Sequence, residues 1–251
     1  MNNILTTEQR LIVAADFKPK LTMVKYRESV RKQVLNLADM LHDTGIYFKV
    51  NSALRACGYS LIDEIHDRGL LVFADLKIID IKETMEIDGM LLGETRPEIL
   101  TTMCFSGIPA MKALAFQLPE TEILGVTILT SHGEEECQAM FSCSVEEAVL
   151  RFAKIGQSAT LEGLISSAKE VEILRAKFGL FLTLNTPAIR PLWSLVPGDG
   201  QNPDRVMTPK KAIEAGADRV VVGRPITQAK DPLEAVKLIL EEIEGSTIVH
   251  Y

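Results

Sequence analysis

Short apolar runs alternate with amphipathic segments along almost the whole chain. Apolar runs of four to eight residues, bounded by polar or glycine-containing segments, are typical of buried strands. They predict eight strands, at 11–16, 47–50, the first part of 70–84, 99–104, 122–129, 163–166, 180–184 and 219–222. Apolar residues at helical spacing predict helices at 28–43, 53–67, 81–96, 109–118, 145–156, 169–177, 208–215 and 231–244. The proline-rich segment 187–207 is predicted as a long loop.

The order of these elements predicts the fold class. Eight strand-then-helix units favour a parallel sheet, and a length of 251 residues suits one (β/α)8 barrel. No composition break or flexible linker divides the chain. We therefore expect an α/β fold, a single (β/α)8 TIM barrel that forms one domain over residues 1–251. A doubly wound open sheet is the alternative.

Composition and charge narrow the possible partners. The net charge of −7 and a pI near 5.3 argue against a general nucleic-acid or anionic-membrane binder. No apolar run reaches the length of a membrane span, and the N-terminus lacks the pattern of a signal peptide. The four cysteines show no CxxC spacing, which is typical of reduced thiols. We expect a cytoplasmic protein with no nucleic-acid or membrane partner.

Polar residues recur where the predicted strands end, and barrels carry their chemistry at the C-terminal ends of strands. Side chains alternate in direction along a strand, so Asp75 and Lys77 point to the same side. The other polar residues at strand ends are Asp16, Lys49, Thr130, Ser131 and Arg224. One or two of these charged residues could instead form salt bridges that only close the end of the barrel. Three successive strands that end in Asp, Lys and Asp–x–Lys instead predict a common active site.

An ordered set of motifs includes these polar residues. Its members are Asp16, Lys49, D–x–K–x–x–D–I–x–x–T from Asp75 to Thr84, VTILTS at 126–131, GLISS at 163–167, TPAIRP at 186–191, RVMTP at 205–209 and VVGRPI at 221–226. The set, which spans roughly residues 10–235, resembles that of the orotidine 5′-phosphate decarboxylases. D–x–K–x–x–D alone also occurs in related sugar-phosphate barrels, whereas the ordered set is specific.

The resemblance implies that orotidine 5′-monophosphate is decarboxylated to uridine 5′-monophosphate, the last step of de novo UMP synthesis, without a cofactor or a metal. Lys77 would stabilise the carbanion at pyrimidine C6 and then protonate it. Asp75 and Asp80 would keep Lys77 charged, because a nearby opposite charge favours the protonated form. Lys49 would complete a Lys–Asp–Lys–Asp array.

The resemblance also implies substrate-binding residues. Asp16 and Thr84 would bind ribose hydroxyls, and Thr130 and Ser131 would bind the amide edge of the pyrimidine. The residues implied for the phosphate are Pro187, Arg190, Gln201, Gly223 and Arg224. Taken alone, the segment 221–226 could instead be a strand and turn with a solvated arginine.

In the family, the equivalents of Asp80, Ile81 and Thr84 reach into the active site of the partner subunit. The resemblance therefore implies a homodimer whose active sites are shared across the interface. The alternative is that Asp80 caps the helix that follows it, since aspartate is a good N-cap.

Two other functions remain open. A related metal-dependent barrel, of the 3-keto-gulonate-6-phosphate decarboxylase or hexulose-phosphate synthase type, would share D–x–K–x–x–D. A barrel that binds phosphate without turnover is the other. His132, which precedes three glutamates, could suggest a metal site, but acidic residues also suit a helix N-terminus, so no metal site is predicted. Cys104 is expected to be a buried thiol. Ala188 stands where the family usually has glycine, which puts the backbone conformation there in question.

Overall fold

The structure of the protein is a computed structural model that describes residues 5–19, 25–194 and 207–247. Its strands are β1 (Leu11–Ala14), β2 (Tyr47–Val50), β3 (Leu71–Ile78), β4 (Ile99–Met103), β5 (Glu122–Val126), β6 (Gly163–Ile165), β7 (Thr183–Thr186) and β8 (Arg219–Val222). Each strand pairs in parallel with its neighbours, and β8 pairs with β1 to close a barrel. The predicted single (β/α)8 barrel is confirmed, and the open-sheet alternative is wrong.

The α-helices surround the barrel. They are α1 (Tyr26–Met40), α2 (Ser52–Cys57), α3 (Ser60–His66), α4 (Lys82–Gly93), α5 (Ile108–Gln117), α6 (Glu134–Phe141), α7 (Val145–Ser158), α8 (Val171–Phe178), α9 (Pro209–Glu214), α10 (Arg224–Thr227) and α11 (Pro232–Glu244). Short 3₁₀ helices occupy Glu8–Arg10, Cys104–Ser106 and Leu192–Ser194. None of the described helices is long and apolar enough to cross a membrane.

The strands predicted at 11–16 and 122–129 end earlier, at Ala14 and Val126, and two other elements differ more from their predictions. The helix predicted at 53–67 is interrupted between α2 and α3, because Gly58 has a φ of 88° and its amide N–H ends α2 on the carbonyl of Leu54. The strand predicted at 180–184 lies instead at Thr183–Thr186. The apolar side chain of Phe181 is 86% exposed, whereas the polar Asn185 is fully buried, so the apolar pattern misplaced this strand.

The acidic run after His132 forms the first turn of α6. The carboxylate of Glu136 accepts a hydrogen bond of 2.9 Å from the amide of Gly133, the residue that precedes the helix. The interpretation of this run as a helix N-terminus is confirmed, and its negative charge suits the positive end of the helix dipole.

The interior of the barrel is apolar in its middle and closed at its N-terminal end. The middle layer consists of Ile12, Tyr47, Phe73, Ile99, Leu124 and Val221. Below it, the buried Arg219 donates two hydrogen bonds, of 3.0 and 2.7 Å, to the two carboxylate oxygens of Glu122. Its guanidinium also lies 5.0 Å from the centre of the Tyr47 ring, a cation–π distance. The salt bridge between Arg219 and Glu122 thus closes one end of the barrel, but this is the end opposite the Asp75–Lys77 pair.

Strand β3 departs from regular pairing just before it ends. Ala74 is aligned with Leu100, but the next aligned pair is Ile78 with Thr102. Strand β3 thus advances by four residues while β4 advances by two, which is a bulge. Within it, Lys77 has a φ of 49°, in the left-handed region that non-glycine residues rarely adopt.

Candidate active site

A cavity of about 410 Å³ opens at the C-terminal end of the barrel. Ligand pockets commonly have volumes of roughly 300–1,000 Å³, so the cavity suits a small molecule. Nine of the predicted site residues line it, namely Asp16, Lys49, Asp75, Lys77, Thr130, Pro187, Arg190, Gly223 and Arg224. The strand ends therefore bring together residues that are up to about 200 positions apart in the sequence.

Four charged side chains form a continuous chain of ion pairs in this cavity. The ammonium of Lys49 donates to Oδ2 of Asp16 at 2.7 Å and to Oδ2 of Asp75 at 3.1 Å. The ammonium of Lys77 donates to Oδ1 of Asp75 at 2.6 Å. Asp75 thus lies between two ammonium groups, and Lys49 lies between two carboxylates.

The environment of Asp75 and Lys49 keeps both groups charged. Burial raises the pKa of Asp75, but the positive charges of Lys49 and Lys77 outweigh burial and lower this pKa to about 2. Burial lowers the pKa of Lys49, but the negative charges of Asp75 and Asp16 outweigh it and raise this pKa above its usual value. At neutral pH the buried carboxylate is therefore ionised and the buried lysine is protonated.

Exposure distinguishes the two lysines. The side chain of Lys77 is 28% exposed, whereas the side chains of Lys49 and Asp75 are each 9% exposed. Lys49 contacts two carboxylates, whereas Lys77 contacts one and lines the cavity. An ammonium group has three N–H donors, so one carboxylate contact leaves Lys77 with donors for a ligand. Lys77 is therefore the more accessible of the two ammonium groups to a molecule bound in the cavity.

Two arginines line the same cavity from different loops. Arg190, in the segment that follows β7, is 8% exposed, and its backbone amide donates to the carbonyl of Met207 at 3.1 Å. Arg224 begins the short helix α10, directly after Gly223 at the end of β8. Guanidinium groups bind phosphates through paired N–H donors, and barrels commonly bind phosphate on the loops after strands seven and eight. Gln201, which was predicted to join them, lies outside the described residues.

Ala188, in the loop between β7 and Arg190, has a φ of 63°. The backbone at this position thus adopts the left-handed conformation that glycine adopts without steric cost. For alanine this conformation costs about 1 kcal/mol. The chain therefore holds Ala188 in a conformation that suits glycine, at a cost in backbone strain.

The predicted residues Asp80, Ile81, Thr84 and Ser131 do not line this cavity. Asp80 is exposed, and its carboxylate accepts a hydrogen bond of 2.7 Å from the amide of Ile81. Helix α4 begins after Ile81 and has no side-chain cap, so the interpretation of Asp80 as an N-cap is wrong.

Several residues that line the cavity were not predicted from the sequence. The apolar wall of the cavity includes Phe73, Val126, Ile128, Ile165 and Val221. The alternation of side chains in β3, β5, β6 and β8 could have identified the strand residues among them, because they share the inward face. The described part of the chain contains no group of three or more His, Cys, Asp or Glu side chains that could hold a metal ion.

Comparison with known proteins shows which family this chain resembles. The model of the orotidine 5′-phosphate decarboxylase / HUMPS family matches residues 9–239. An orotidine 5′-phosphate decarboxylase of Pseudomonas putida (strain GB-1) is 35% identical over 242 residues, which are 94% of this chain and 97% of that protein. The protein of the same name from Saccharophagus degradans is 32% identical over 247 residues, 96% of this chain and 98% of the relative.

A solved structure agrees with these relatives. The crystal structure of orotidine 5′-phosphate decarboxylase from Lactobacillus acidophilus superposes with a TM-score of 0.77 and 28% sequence identity. The match covers 94% of this chain and the whole of the other. The similarity therefore includes the barrel and the strand ends on which the charged residues lie.

Proposed function

This chain belongs to the orotidine 5′-phosphate decarboxylase / HUMPS family, and we propose that it converts orotidine 5′-monophosphate into uridine 5′-monophosphate and CO2. The observation that carries the proposal is the Lys77–Asp75 pair, with its partly exposed ammonium in a cavity that two arginines also line. The names of the relatives favour this activity over that of a metal-dependent sugar-phosphate barrel.

Lys77 is the proposed acid. When the bond between C6 and the carboxylate breaks, its electron pair stays on C6 and CO2 departs. An ammonium beside C6 offsets this charge as it develops and then donates a proton to form the new C6–H bond. Lys77 regains its proton from water. The reaction needs no electron acceptor, because the electron pair that leaves the C–C bond ends in the C–H bond.

Asp75 has two proposed roles. It holds the ammonium of Lys77 through their 2.6 Å contact, and its own carboxylate faces the substrate carboxylate. Two unit charges 4 Å apart interact by about 4 kcal/mol at an effective dielectric constant near 20. This repulsion disappears as CO2 leaves while the attraction between Lys77 and C6 grows. The array therefore favours the transition state over the bound substrate.

The remaining cavity residues are proposed to hold the substrate in place. Asp16 would bind a ribose hydroxyl, Thr130 and Ser131 the pyrimidine amide edge, and Pro187, Arg190, Gln201, Gly223 and Arg224 the phosphate. Phosphate binding at a distance from C6 supplies free energy that can be used to organise the charged groups around the reacting bond.

The proposed functional unit is a homodimer in which Asp80, Ile81 and Thr84 serve the site of the partner subunit. A second cavity, of about 570 Å³, reaches Asp16, Lys49, Asp75 and Lys77 from the side of the segments that follow β1 and β2. It offers a route by which another chain can approach the array. Ile81 is 66% exposed, and Ile87 and Met90 on α4 are each 55% exposed, so an apolar surface adjoins Asp80.

The proposed location is the cytoplasm. All four cysteines are free, and three of them are buried. Thiols that remain reduced are typical of a reducing compartment such as the cytoplasm.

Turnover of orotidine 5′-monophosphate tests the proposed function directly. The fall in orotidine absorbance is followed for wild type and Lys77→Ala, with a metal chelator present. We expect rapid turnover by wild type and a large loss in the variant. Activity that the chelator abolishes would favour the metal-dependent alternative. Nucleotide binding without any release of CO2 by wild type would favour the non-catalytic one.

A further inference from the structure

The peptide unit between Leu76 and Lys77 lies in the bulge of β3, where the pairing with β4 shifts. Its backbone groups therefore need other partners, since buried amide and carbonyl groups are nearly always hydrogen-bonded. Lys77 is also held at a φ of 49°, a conformation that persists only where the surroundings enforce it. Side chains from two other elements supply both of these missing partners.

Thr101, on β4, binds one end of this peptide unit. Its hydroxyl accepts a hydrogen bond of 2.9 Å from the backbone amide of Lys77 and donates one of 2.9 Å to Oδ1 of Asp75. Thr101 is completely buried. One hydroxyl therefore connects the backbone of the proposed acid to the carboxylate that pairs with its ammonium. The same Oδ1 accepts from Nζ of Lys77.

Arg55, on α2, binds the other end. Its Nη2 donates a hydrogen bond of 2.6 Å to the carbonyl of Leu76, while its Nη1 donates to Oδ1 of Asn51 at 2.7 Å. The Leu76 carbonyl and the Lys77 amide belong to a single planar peptide unit. Its orientation is therefore fixed by two side chains instead of by the sheet.

We propose that Thr101 and Arg55 are positioning residues for the decarboxylation: they clamp the Leu76–Lys77 peptide unit and so hold the Lys77 ammonium at the reacting carbon. This inference rests on the proposed function. Neither residue belongs to the motifs that identify the family resemblance, and neither is proposed to contact the substrate.

The clamp predicts a loss in kcat rather than in KM. Without the hydroxyl, the Lys77 amide loses its partner, the bulge relaxes and the ammonium moves away from C6. A displacement of about 1 Å can lower a rate by about 100-fold. The groups proposed for the phosphate and pyrimidine lie in segments that follow β5, β7 and β8, so binding of the substrate is expected to be unaffected. A purely structural role would lower the melting temperature without this separation of kcat from KM.

The test compares Thr101→Val with Thr101→Ser and with a matched control, Thr121→Val. Thr121 is also buried, and its hydroxyl donates a hydrogen bond of 2.8 Å to the carbonyl of Pro97 at the opposite end of the barrel. Arg55→Met removes the hydrogen bond to the Leu76 carbonyl, which is the other half of the clamp. Because Arg55 is exposed, this variant is expected to fold even if Thr101→Val does not. The kcat, KM and melting temperature of each variant are measured with orotidine 5′-monophosphate.

We expect kcat to fall by about 10- to 100-fold in Thr101→Val and by about 10-fold in Arg55→Met, with KM within about threefold of wild type. Thr101→Ser should restore kcat, and Thr121→Val should lower only the melting temperature. Wild-type kcat in Arg55→Met and in a folded Thr101→Val would overturn the inference, as would a loss that serine does not restore or that appears only in KM. An inactive wild type would instead contradict the proposed function.

Discussion

Asp75 is the most strongly constrained carboxylate of the site. It accepts hydrogen bonds from Lys49, Lys77 and Thr101 while its side chain is only 9% exposed. A buried carboxylate that is paired on both oxygens contributes to stability only while it is ionised. Its ionisation therefore links the folding of the barrel to the state in which Lys77 can act.

The acid stability of the protein should reflect this link. Because the pKa of Asp75 is lowered to about 2 from an ordinary value of 3.8, its contribution is complete above pH 4 and is lost as the pH falls from about 4 to 2. This contribution amounts to roughly 2 kcal/mol. We expect the free energy of unfolding of wild type to decrease by about that much more than that of Asp75→Asn between pH 5 and pH 2, in urea titrations at each pH. Parallel pH profiles for the two proteins would contradict the assigned environment of Asp75.

Among the elements, those with long apolar or amphipathic patterns were predictable from the sequence. Strands β2 and β8 have the predicted bounds, and the apolar run of each ends directly before a residue that is not apolar, Asn51 or Gly223. Strand β7 was misplaced because it buries Asn185, whose amide donates to the carbonyl of Leu164. A hydrogen bond between neighbouring strands compensates for the burial of a polar group, and a hydrophobic pattern does not record it.

The site was predictable to the extent that residues lie at strand ends. Asp16, Lys49, Asp75 and Lys77 could be grouped because parallel strands present their ends on one rim. The clamp on Lys77 was not predictable, since a bulge shifts the pairing of two strands and depends on their three-dimensional register. Nothing in the sequence near Thr101 indicates that its hydroxyl faces Asp75.

The packing between β5 and the surrounding segments gives a second prediction, which concerns Cys104. A Cβ atom added to Gly125 would lie 2.5 Å from Sγ of Cys104 and 3.0 Å from a methyl group of Leu161. Burial also raises the pKa of the Cys104 thiol to about 12. The Cys104 thiol is thus a neutral packing group that occupies the space next to Gly125, where a larger residue would have its Cβ atom.

Gly125→Ala should therefore destabilise the protein by about 1–3 kcal/mol through overpacking. The double variant Cys104→Ala/Gly125→Ala should be more stable than the sum of the two single changes predicts, because the smaller side chain makes room for the new methyl group. Urea unfolding of the four proteins measures this coupling. Additive effects would show that Sγ does not limit the space at Gly125, and a large loss of kcat in Cys104→Ala would contradict a packing role.

At the scale of the whole molecule, the proposed sharing of active sites makes activity a property of the dimer. Each site would combine Lys77 of one subunit with Asp80 of the other. A mixture of Lys77→Ala and Asp80→Ala subunits would then contain heterodimers with one intact site and one doubly altered site. After complete exchange at equal amounts, about one quarter of all sites would be intact, as statistical pairing of two kinds of subunit requires.

We expect each variant alone to be nearly inactive and the exchanged mixture to recover about a quarter of wild-type activity. The matched control mixes Lys77→Ala with Asp75→Ala. Both residues belong to the same subunit of a given site, so no heterodimer contains an intact site and no activity should be recovered. A control that recovers as much activity as the test pair, or a test pair that recovers none after exchange, would show that Asp80 does not serve the partner.

The central claim is that the ammonium of Lys77 carries out the decarboxylation, and release of labelled CO2 from carboxyl-labelled orotidine 5′-monophosphate measures it most directly. Lys77→Ala is compared with wild type and with Lys154→Ala, which removes an exposed lysine of α7. The account predicts that Lys77→Ala still binds uridine 5′-monophosphate but releases CO2 about 10⁴-fold more slowly or worse, whereas Lys154→Ala matches wild type. Release by Lys77→Ala within tenfold of wild type would contradict it.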